Sequence, residues 1–279
     1  MALEPAPAGL GALRRLLLLV SPPATDLILR PGSYRRARPG GPALYAGAAA
    51  AVLGYRALAV GRWGWANACS VAAERILGVE RLSPAEPSMG AVFLLDYTGP
   101  ERRVEALSRP PATPLDEALR TIGSSRPPAA VINPLYGDLH PGLPALLRGS
   151  LPILGLDIQG YARAGLLEAL PRGSADIVHA SAGEAPLEAL ARLGGLTVVT
   201  SGYGPAWLLG GGGRSLLFKK PLGPRLEDPT GAGDAFLALL VILMLEGLDP
   251  AEAAVEASRL VAGALELASE AAGSVECEL

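Results

Sequence analysis

Two glycines and a carboxylate stand together at the start of a long apolar run. The string Asp-Pro-Thr-Gly-Ala-Gly-Asp-Ala-Phe occupies 228–236, and only apolar residues follow at 237–245. This pattern predicts a tight turn that leads into a buried helix. The free amides of a first helical turn carry the positive end of the helix dipole, so they can bind an anion. Gly231 and Gly233 would let the backbone approach such a ligand closely.

Asp234 places a carboxylate beside this anion-binding turn. The combination suits phosphoryl transfer, because amides can hold the moving phosphate while a carboxylate accepts the proton of the attacking hydroxyl. A structural interpretation is also open, since an acidic residue in a first turn stabilises a helix through its dipole alone. The pattern of residue types does not choose between the two.

The string 228–236 closely resembles the C-terminal signature of the ribokinase-like sugar kinases, the PfkB family. The resemblance implies Asp234 as catalytic base, the amides of Gly231, Ala232 and Gly233 as an anion hole, and Thr230 on the nucleotide side. It implies an α/β fold, a ribokinase-like three-layer sandwich with a central mostly parallel sheet and a small β lid. It also implies ATP as phosphate donor and Mg²⁺ as cofactor.

Composition agrees with a compact enzyme domain. The chain has 279 residues, of which 50% are hydrophobic and 18% charged, which excludes a disordered class and allows one large domain over 1–279. The net charge of −3 and the presence of only two lysines, Lys219 and Lys220, predict no nucleic-acid partner. The partners expected are a small sugar or polyol and a nucleotide, in a monomer or homodimer.

Localisation is predicted from cysteines and apolar runs. Cys69 and Cys277 lie far apart without metal-ligand spacing, which favours two free thiols in a reducing compartment. The apolar run after Arg14-Arg15 is too short for a signal peptide, and 235–245 is too short to cross a membrane. We therefore expect a soluble cytoplasmic protein with no membrane partner. His140 and His179 are single and distant, so no zinc site is predicted.

Strand and helix patterns alternate along most of the chain. Short apolar runs predict buried strands, including 14–20, 25–30, 55–61, 129–133, 151–157, 175–179 and 196–200. Helical spacing between them predicts crossovers, which favours a parallel sheet covered on both faces. Ligands bind beyond the carboxyl ends of such strands. A hairpin joins 207–209 to 215–218, the tail forms helices near 250–260 and 262–271, and lid strands come from about 30–40 and 90–108.

On the substrate side, Asp26 follows the first predicted strand, where the family has an Asp that binds substrate hydroxyls. Carboxylates suit polyols because each oxygen accepts from a hydroxyl; the alternative is that Asp26 is a turn or cap residue. Gly40 and Gly41 precede an Ala-rich helix and resemble the N-terminal signature of the family. The family's Asn is replaced here by Leu44 and Tyr45, and Tyr45 is predicted to line one wall of the substrate pocket.

Further candidates lie at the ends of later strands. Asn133 stands where the family lines its active site, so the resemblance implies that it binds substrate, although Asn before Pro134 is also a plain turn. The string 157–163 resembles the Asp-Pro-Gln-Gly-Phe-x-Arg sequence of archaeal and plant members related to inositol and nucleoside kinases. Asp157 and Gln159 are predicted to bind substrate, while Arg163 suits a nucleotide phosphate because guanidinium binds paired oxygens. A surface ion pair is an equally open role for Arg163.

The nucleotide and metal candidates follow. Ser181-Ala-Gly-Glu184 resembles the family's Asn-x-x-Glu, which implies Glu184 as a magnesium residue, and Mg²⁺ needs few protein carboxylates. Thr200, Gly202 and Gly204 resemble the family's nucleotide loop. The resemblance implies an ATP-dependent kinase that phosphorylates a small sugar or polyol, with myo-inositol favoured. The alternatives are a nucleoside kinase, or a non-catalytic binding protein suggested by the departures at Leu44, Trp65 and Ser181.

Overall fold

The protein is described by a computed structural model over residues 15–32, 36–99, 102–202, 204–210, 215–218 and 228–279, with backbone only for residues 122 and 215–218. Lys219, Lys220 and part of the predicted hairpin turn lie outside the described residues. The strands are β1 (Leu16–Val20), β2 (Ala24–Leu29), β3 (Arg36–Gly40), β4 (Arg56–Val60), β5 (Val79–Arg81), β6 (Ala91–Asp96), β7 (Arg103–Ser108), β8 (Ala129–Ile132), β9 (Ile153–Asp157), β10 (Ala175–Ser181), β11 (Gly194–Thr200), β12 (Ala206–Gly210) and β13 (Ser215–Phe218). The helices are α1 (Pro42–Val52), α2 (Ala68–Ile76), α3 (Leu115–Ser125), α4 (Leu143–Arg148), α5 (Gln159–Arg163), α6 (Leu187–Ala191), α7 (Ala232–Leu245) and α8 (Pro250–Gly273).

The central sheet has nine strands within the described residues, in the order β13-β12-β11-β10-β9-β8-β1-β4-β5. All neighbours from β11 to β5 pair in parallel, and β12 and β13 form the predicted antiparallel hairpin at one edge. Parallel neighbours require crossovers, which bring helices onto both faces. The predicted α/β class and mostly parallel sheet are confirmed.

Strand β1 explains how the core is built. Its Leu-Leu-Leu-Leu-Val sequence is buried throughout, as expected for a strand covered on both faces. Leu17 and Leu19 belong to one apolar cluster with α1 and α7, whereas Leu18 belongs to a second cluster on the opposite face. Helix α7 has a buried residue at every position from 235 to 243. Its start is therefore held at the carboxyl ends of the strands.

A smaller sheet has the order β3-β2-β6-β7. Strands β3, β6 and β7 fall within the two ranges from which lid strands were expected, and β2, which carries Asp26, also belongs to this sheet. Two buried side chains near α2 hold its base. Ser70 Oγ donates to Ala24 O (2.5 Å) and accepts from Gly40 N (3.3 Å), and Asn67 hydrogen-bonds both backbone groups of Ala91. The beginnings of β2 and β6 and the end of β3 are thus fixed together.

The prediction of two tail helices was wrong, because α8 continues from Pro250 to Gly273. Asp249 caps it by accepting from the amides of Ala251 and Glu252. Val261, the one residue between the two predicted helices, does not end a helix, and Gly263 inside an Ala-rich helix costs only about 1 kcal/mol. One continuous helix is therefore the lower-energy arrangement.

The prediction of two free thiols was also wrong. Cys69 at the start of α2 and Cys277 after α8 form a disulfide, with Cα atoms 5.2 Å apart. The two residues are 208 positions apart, and only the return of the tail past α2 brings them within bonding distance. The cysteines therefore no longer support a reducing compartment. In the described part of the chain, no helix has the length and apolar character needed to cross a membrane.

Candidate active site

Asp234 lies in the first turn of α7, whose N-cap is Gly231. Its Oδ1 accepts from Asn133 Nδ2 at 2.9 Å, so the end of β8 contacts the start of α7. Burial, followed by the negative charge of Asp157, raises the pKa of Asp234 to about 7. The hydrogen bond from Asn133 and the charges of His179 and Arg163 act in the opposite direction. A carboxyl group with a pKa near neutrality is suited to exchanging a proton.

Gly231 is a position that only glycine can occupy. Its φ is +80°, and a Cβ there would come within 2.1 Å of Cγ of Tyr45. The Tyr45 ring from α1 therefore packs directly against the turn that begins α7. Tyr45 is 3% exposed, and its hydroxyl has no hydrogen-bond partner among the described residues. A buried phenol oxygen without a partner is costly and marks a place where a ligand could bind.

A line of hydrogen bonds crosses three strand ends beneath α7. His179 Nδ1 lies 2.7 Å from Asp157 Oδ2, and His179 Nε2 lies 3.1 Å from Thr200 Oγ1. All three side chains are buried. A Cβ on Gly233 would lie 3.0 Å from His179 Cε1, so the imidazole sits directly below the turn. This line fixes the side chains that surround the first amides of α7.

Gln159, Glu184 and Arg163 form the next group outward from the sheet. Gln159 Nε2 donates to Glu184 Oε1 (2.7 Å), and Glu184 Oε2 accepts from Ser181 N (2.8 Å). Arg163, at the end of α5, makes no ion pair within 4.0 Å among the described residues. Burial lowers the pKa of Arg163, while the negative charges of Glu184, Asp157 and Asp234 oppose that shift. Its guanidinium therefore faces the carboxylates of the site without a direct partner.

The small sheet brings Asp26 to the opposite side. Asp26 is 5% exposed, and a Cβ on Gly40 would lie 2.3 Å from its Oδ2, so the carboxylate packs against the glycine backbone. Burial raises the pKa of Asp26 to about 6 although the charge of Arg38 lowers it. The charges of Asp26 and Asp234 both raise the pKa of Tyr45, after burial, which is the largest cause. The phenol therefore lies within range of both carboxylates.

Three side chains of the small sheet contact the 228–230 segment, which precedes Gly231. Arg38 Nη1 pairs with Asp228 Oδ2 at 3.1 Å, and Tyr97 OH donates to Asp228 Oδ1 at 3.0 Å. Arg102 Nη1 donates to Thr230 Oγ1 at 3.0 Å. Burial acts to raise the pKa of Asp228, but hydrogen bonds from Thr230 and the charge of Arg38 lower it overall. The small sheet is therefore joined to the turn by charged hydrogen bonds.

Not every candidate residue lies in this group. Gly202 has φ +49° and Gly204 N donates to Ser201 O (2.7 Å), so both belong to a turn after β11, while Tyr203 between them lies outside the described residues. Gly41 begins α1 beside Asp26's strand. Leu44 is fully buried in the core, and Trp65 is 55% exposed. Trp65 borders a cavity of about 610 Å³ next to the disulfide, with Glu276 and Leu279.

Sequence reasoning missed His179 and Asp228. His179 was considered only as a zinc ligand, although it stands at the end of a predicted strand and so obeys the rule that selected Asn133 and Asp157. Asp228 belongs to the string that was singled out, but its partners Arg38 and Tyr97 are 190 and 131 residues away. No local pattern indicates those pairs.

Comparison with protein-family profiles and with curated protein sequences finds no match. Solved structures do match, and they define the class of fold: the architecture is that of the ribokinase-family kinases. The fold predicted from the 228–236 string is therefore confirmed.

Three of these structures illustrate the likeness. A pyrophosphate-dependent kinase of the ribokinase family, complexed with a pyrophosphate analog and myo-inositol, has a TM-score of 0.74 and 16% identity, over 93% of this chain and 99% of that one. Adenosine kinase from Sinorhizobium meliloti has a TM-score of 0.72 and 16% identity, over 89% and 93%. Arabidopsis thaliana ribokinase complexed with ribose and ATP has a TM-score of 0.66 and 16% identity, over 91% and 98%.

Proposed function

We propose that this protein is a phosphotransferase that moves the γ-phosphate of ATP to a hydroxyl of a small sugar or polyol, possible substrates including myo-inositol. The observation that carries the proposal is Asp234, a carboxyl group with a pKa of about 7 in the first turn of α7. Anion-binding amides and a proton acceptor thus lie within one helical turn. The similarity of the fold to solved structures of sugar, inositol and nucleoside kinases supports the same reaction class.

The reaction is a direct in-line transfer. The acceptor oxygen forms a bond to the terminal phosphorus of the donor while the bond to the leaving oxygen breaks. Asp234 accepts the proton of the acceptor hydroxyl, and the amides of Gly231 and Gly233 stabilise the negative charge on the moving group. The Ala232 amide, predicted from the sequence to share this role, donates to Pro229 O at 3.1 Å in this structure. Asn133 orients Asp234 through the hydrogen bond at 2.9 Å.

We call Asp26, Tyr45 and Asn133 the acceptor side, with Gly40 and Gly41 as its backbone floor. Tyr45 OH and Asn133 Oδ1 are buried and have no partner among the described residues. A polyol supplies hydroxyls that can accept from the phenol and donate to the amide oxygen, and Asp26 can accept from another. Binding would therefore satisfy polar atoms that the protein leaves unsatisfied.

We call Asp157, His179, Thr200, Glu184 and Arg163 the donor side, with Gln159, Thr230 and the 202–204 turn beside it. Asp157 and Gln159 were predicted from the sequence to bind the substrate, and we assign them to the donor side because their side chains bond to His179 and Glu184. Arg163, which has no ion pair within 4.0 Å among the described residues, offers its guanidinium to a phosphate. Glu184 is held by Gln159 and by the Ser181 amide, and the described residues include no cluster of three carboxylate, His or Cys ligands. This donor set fits Mg²⁺, which binds through one or two carboxylates, several waters and substrate phosphates. Bound there, the ion would neutralise phosphate charge.

The small sheet acts as a lid in this proposal. Besides its contacts with the 228–230 segment, it packs Ala24, Phe93 and Leu95 against Leu135, which follows β8. Arg109 also lies 4.2 Å above the ring of Tyr136. Covering the strand ends in this way excludes water, which would compete with the acceptor hydroxyl.

A donor and acceptor panel tests the proposal. ATP, ADP and pyrophosphate are each incubated with Mg²⁺ and with myo-inositol, ribose, other sugars and adenosine, and phosphorylated product is measured. Pyrophosphate is included because the myo-inositol-bound neighbour is pyrophosphate-dependent. We expect product from ATP with a polyol or sugar. Product from adenosine alone would indicate a nucleoside kinase, and ligand binding without any transfer would indicate a binding protein.

A further inference from the structure

Arg102 is the side chain of the small sheet that lies next to the anion-binding turn. It stands immediately before β7, and its Nη1 donates to Thr230 Oγ1 at 3.0 Å. Thr230 adjoins Gly231, the N-cap of α7. The Tyr97 hydroxyl, 3.1 Å from the same Thr230 oxygen, fixes the contact from a second position. The guanidinium is therefore held one residue away from the proposed anion hole.

The arginines around the site differ in how their charge is balanced. Arg38 is paired with Asp228, whereas neither Arg102 nor Arg163 has a carboxylate within 4.0 Å in the described ranges. Arg102 and Arg163 nevertheless lie close enough to repel: burial is the largest cause that lowers the pKa of Arg163, and the charge of Arg102 adds to it. Two like charges near each other, without a carboxylate partner, favour an anion that both can bind.

We propose that Arg102 binds the phosphoryl group during transfer and forms, with Arg163 across the cleft, a two-arginine anion site. This inference rests on the proposed function and adds a residue to it. Arg102 donates N–H groups to the peripheral oxygens of the phosphoryl group and forms no covalent bond. The acceptor oxygen still gains the phosphorus, the donor still loses it, and Asp234 still takes the proton.

The position of Arg102 on the small sheet has a functional consequence. The guanidinium reaches the turn only while the small sheet lies over the strand ends. A phosphoryl group held under an open lid would lack this charge, so transfer to water would be slow. Closure of the lid and stabilisation of the transferring charge would then be one event.

Arg102→Ala, Arg102→Lys and Arg103→Ala test the inference. Arg103 is the adjacent arginine, the first residue of β7, and it is exposed, so it is a matched control. We expect Arg102→Ala to lower kcat roughly 100-fold or more, as losing a transition-state arginine does, with little change in the KM of the acceptor. Arg102→Lys should retain part of the activity, and guanidinium ion should partly restore Arg102→Ala. Arg103→Ala should behave as wild type.

A role in lid attachment alone predicts a different pattern. Both KM values would then rise in Arg102→Ala while kcat stayed within about threefold of wild type, a change of less than 1 kcal/mol in the barrier, and guanidinium would not rescue. That result would overturn the inference. If Asp234→Asn lost activity while Arg102→Ala kept it, the inference about Arg102 would fail and the proposed function would stand. Calorimetric titration with pyrophosphate tests the anion site in the case where the proposed function fails and no acceptor is phosphorylated. Weaker binding in Arg102→Ala than in Arg103→Ala supports the anion site even if no acceptor is phosphorylated, and equal binding refutes it.

Discussion

The donor side and the acceptor side satisfy their buried polar groups in opposite ways. On the donor side, Asp157, His179 and Thr200 bond to one another, and Glu184 bonds to Gln159 and Ser181. On the acceptor side, Tyr45 OH and Asn133 Oδ1 have no partner in the described ranges. Because an unmade buried hydrogen bond is costly, we infer that these donor-side groups, Arg163 excepted, are organised by the protein alone, and we expect a ligand to complete the acceptor side.

Asp234 lies between the two sides, and its substitution should have the largest effect. Asp234→Asn keeps the size of the side chain and can keep the hydrogen bond from Asn133, but an amide cannot accept the proton of the acceptor hydroxyl. We expect kcat to fall by about 10²–10⁴-fold, the usual contribution of a general base. Turnover and donor affinity are measured together.

Donor binding is the control for that substitution, because none of the hydrogen bonds described for the donor side is made to Asp234. We expect donor affinity to stay nearly unchanged. A mutant that turns over at the wild-type rate would remove Asp234 from the role of base and leave only its structural interpretation.

The disulfide should have the next largest effect, and it should act on the acceptor side. Cys69 lies between Asn67 and Ser70, which hold the base of the small sheet, and its sulfur is 3.8 Å from Thr25 Oγ1, next to Asp26. Cys277→Ser should lower the free energy of unfolding by about 2–4 kcal/mol, as loss of a disulfide that closes a long loop does. The KM of the acceptor should rise more than that of the donor.

Denaturation and kinetics with and without reductant provide the control. Reduced wild type should match Cys277→Ser, and reductant should not change the mutant further. If both KM values move equally, the disulfide stabilises the domain as a whole and has no special connection to the acceptor side.

A matched pair of smaller substitutions tests the comparison directly. Thr200→Val removes the partner of the buried His179 Nε2, so we expect the free energy of unfolding to fall by about 1–3 kcal/mol. Tyr45→Phe removes a hydroxyl that has no hydrogen-bond partner in the part of the chain that the structure describes, so stability should stay unchanged or rise by up to about 1 kcal/mol. In the same mutant the KM of the acceptor should rise about 3–10-fold, the worth of one hydrogen bond.

Urea unfolding of the two mutants, in the absence of ligands, is the measurement. Loss of stability in Tyr45→Phe equal to that in Thr200→Val would mean that the phenol has a protein partner, and the distinction between the two sides would fail.

The sequence was sufficient to predict the helices and strands, because these depend on residues that are close together in the chain. The apolar run after Asp234 predicted α7, and alternating patterns predicted β8 and β9, whose parallel pairing puts Asn133 and Asp157 at adjacent strand ends. Both are local signals, since periodicity determines which face of an element is buried.

Long-range contacts could not be predicted in this way. Cys69 and Cys277 are 208 residues apart, and Arg38 and Asp228 are 190 apart, so neither pair has a local pattern. The charge of Asp234 is another case, because its pKa depends on burial and on Asp157 from a different strand. Such properties arise only when the tertiary structure sets the distances.

Rising pH should increase activity, through ionisation of Asp234, and should decrease stability, through ionisation of both Asp234 and Asp26. Asp234, with its pKa of about 7, must be ionised to accept a proton, so kcat/KM should rise about tenfold per pH unit up to about pH 7 and then level off. The folded protein keeps protons on Asp234 and Asp26 above pH 4, where the unfolded chain has lost them. Stability is therefore greatest below about pH 4 for these groups, and it is lost as pH rises through about 6 and 7. Asp234→Asn should remove the contribution of Asp234, which continues to be lost up to about pH 7, and leave that of Asp26, which ends near pH 6. Urea unfolding at pH 5 and pH 8 would contradict the assignment if both proteins lost the same stability.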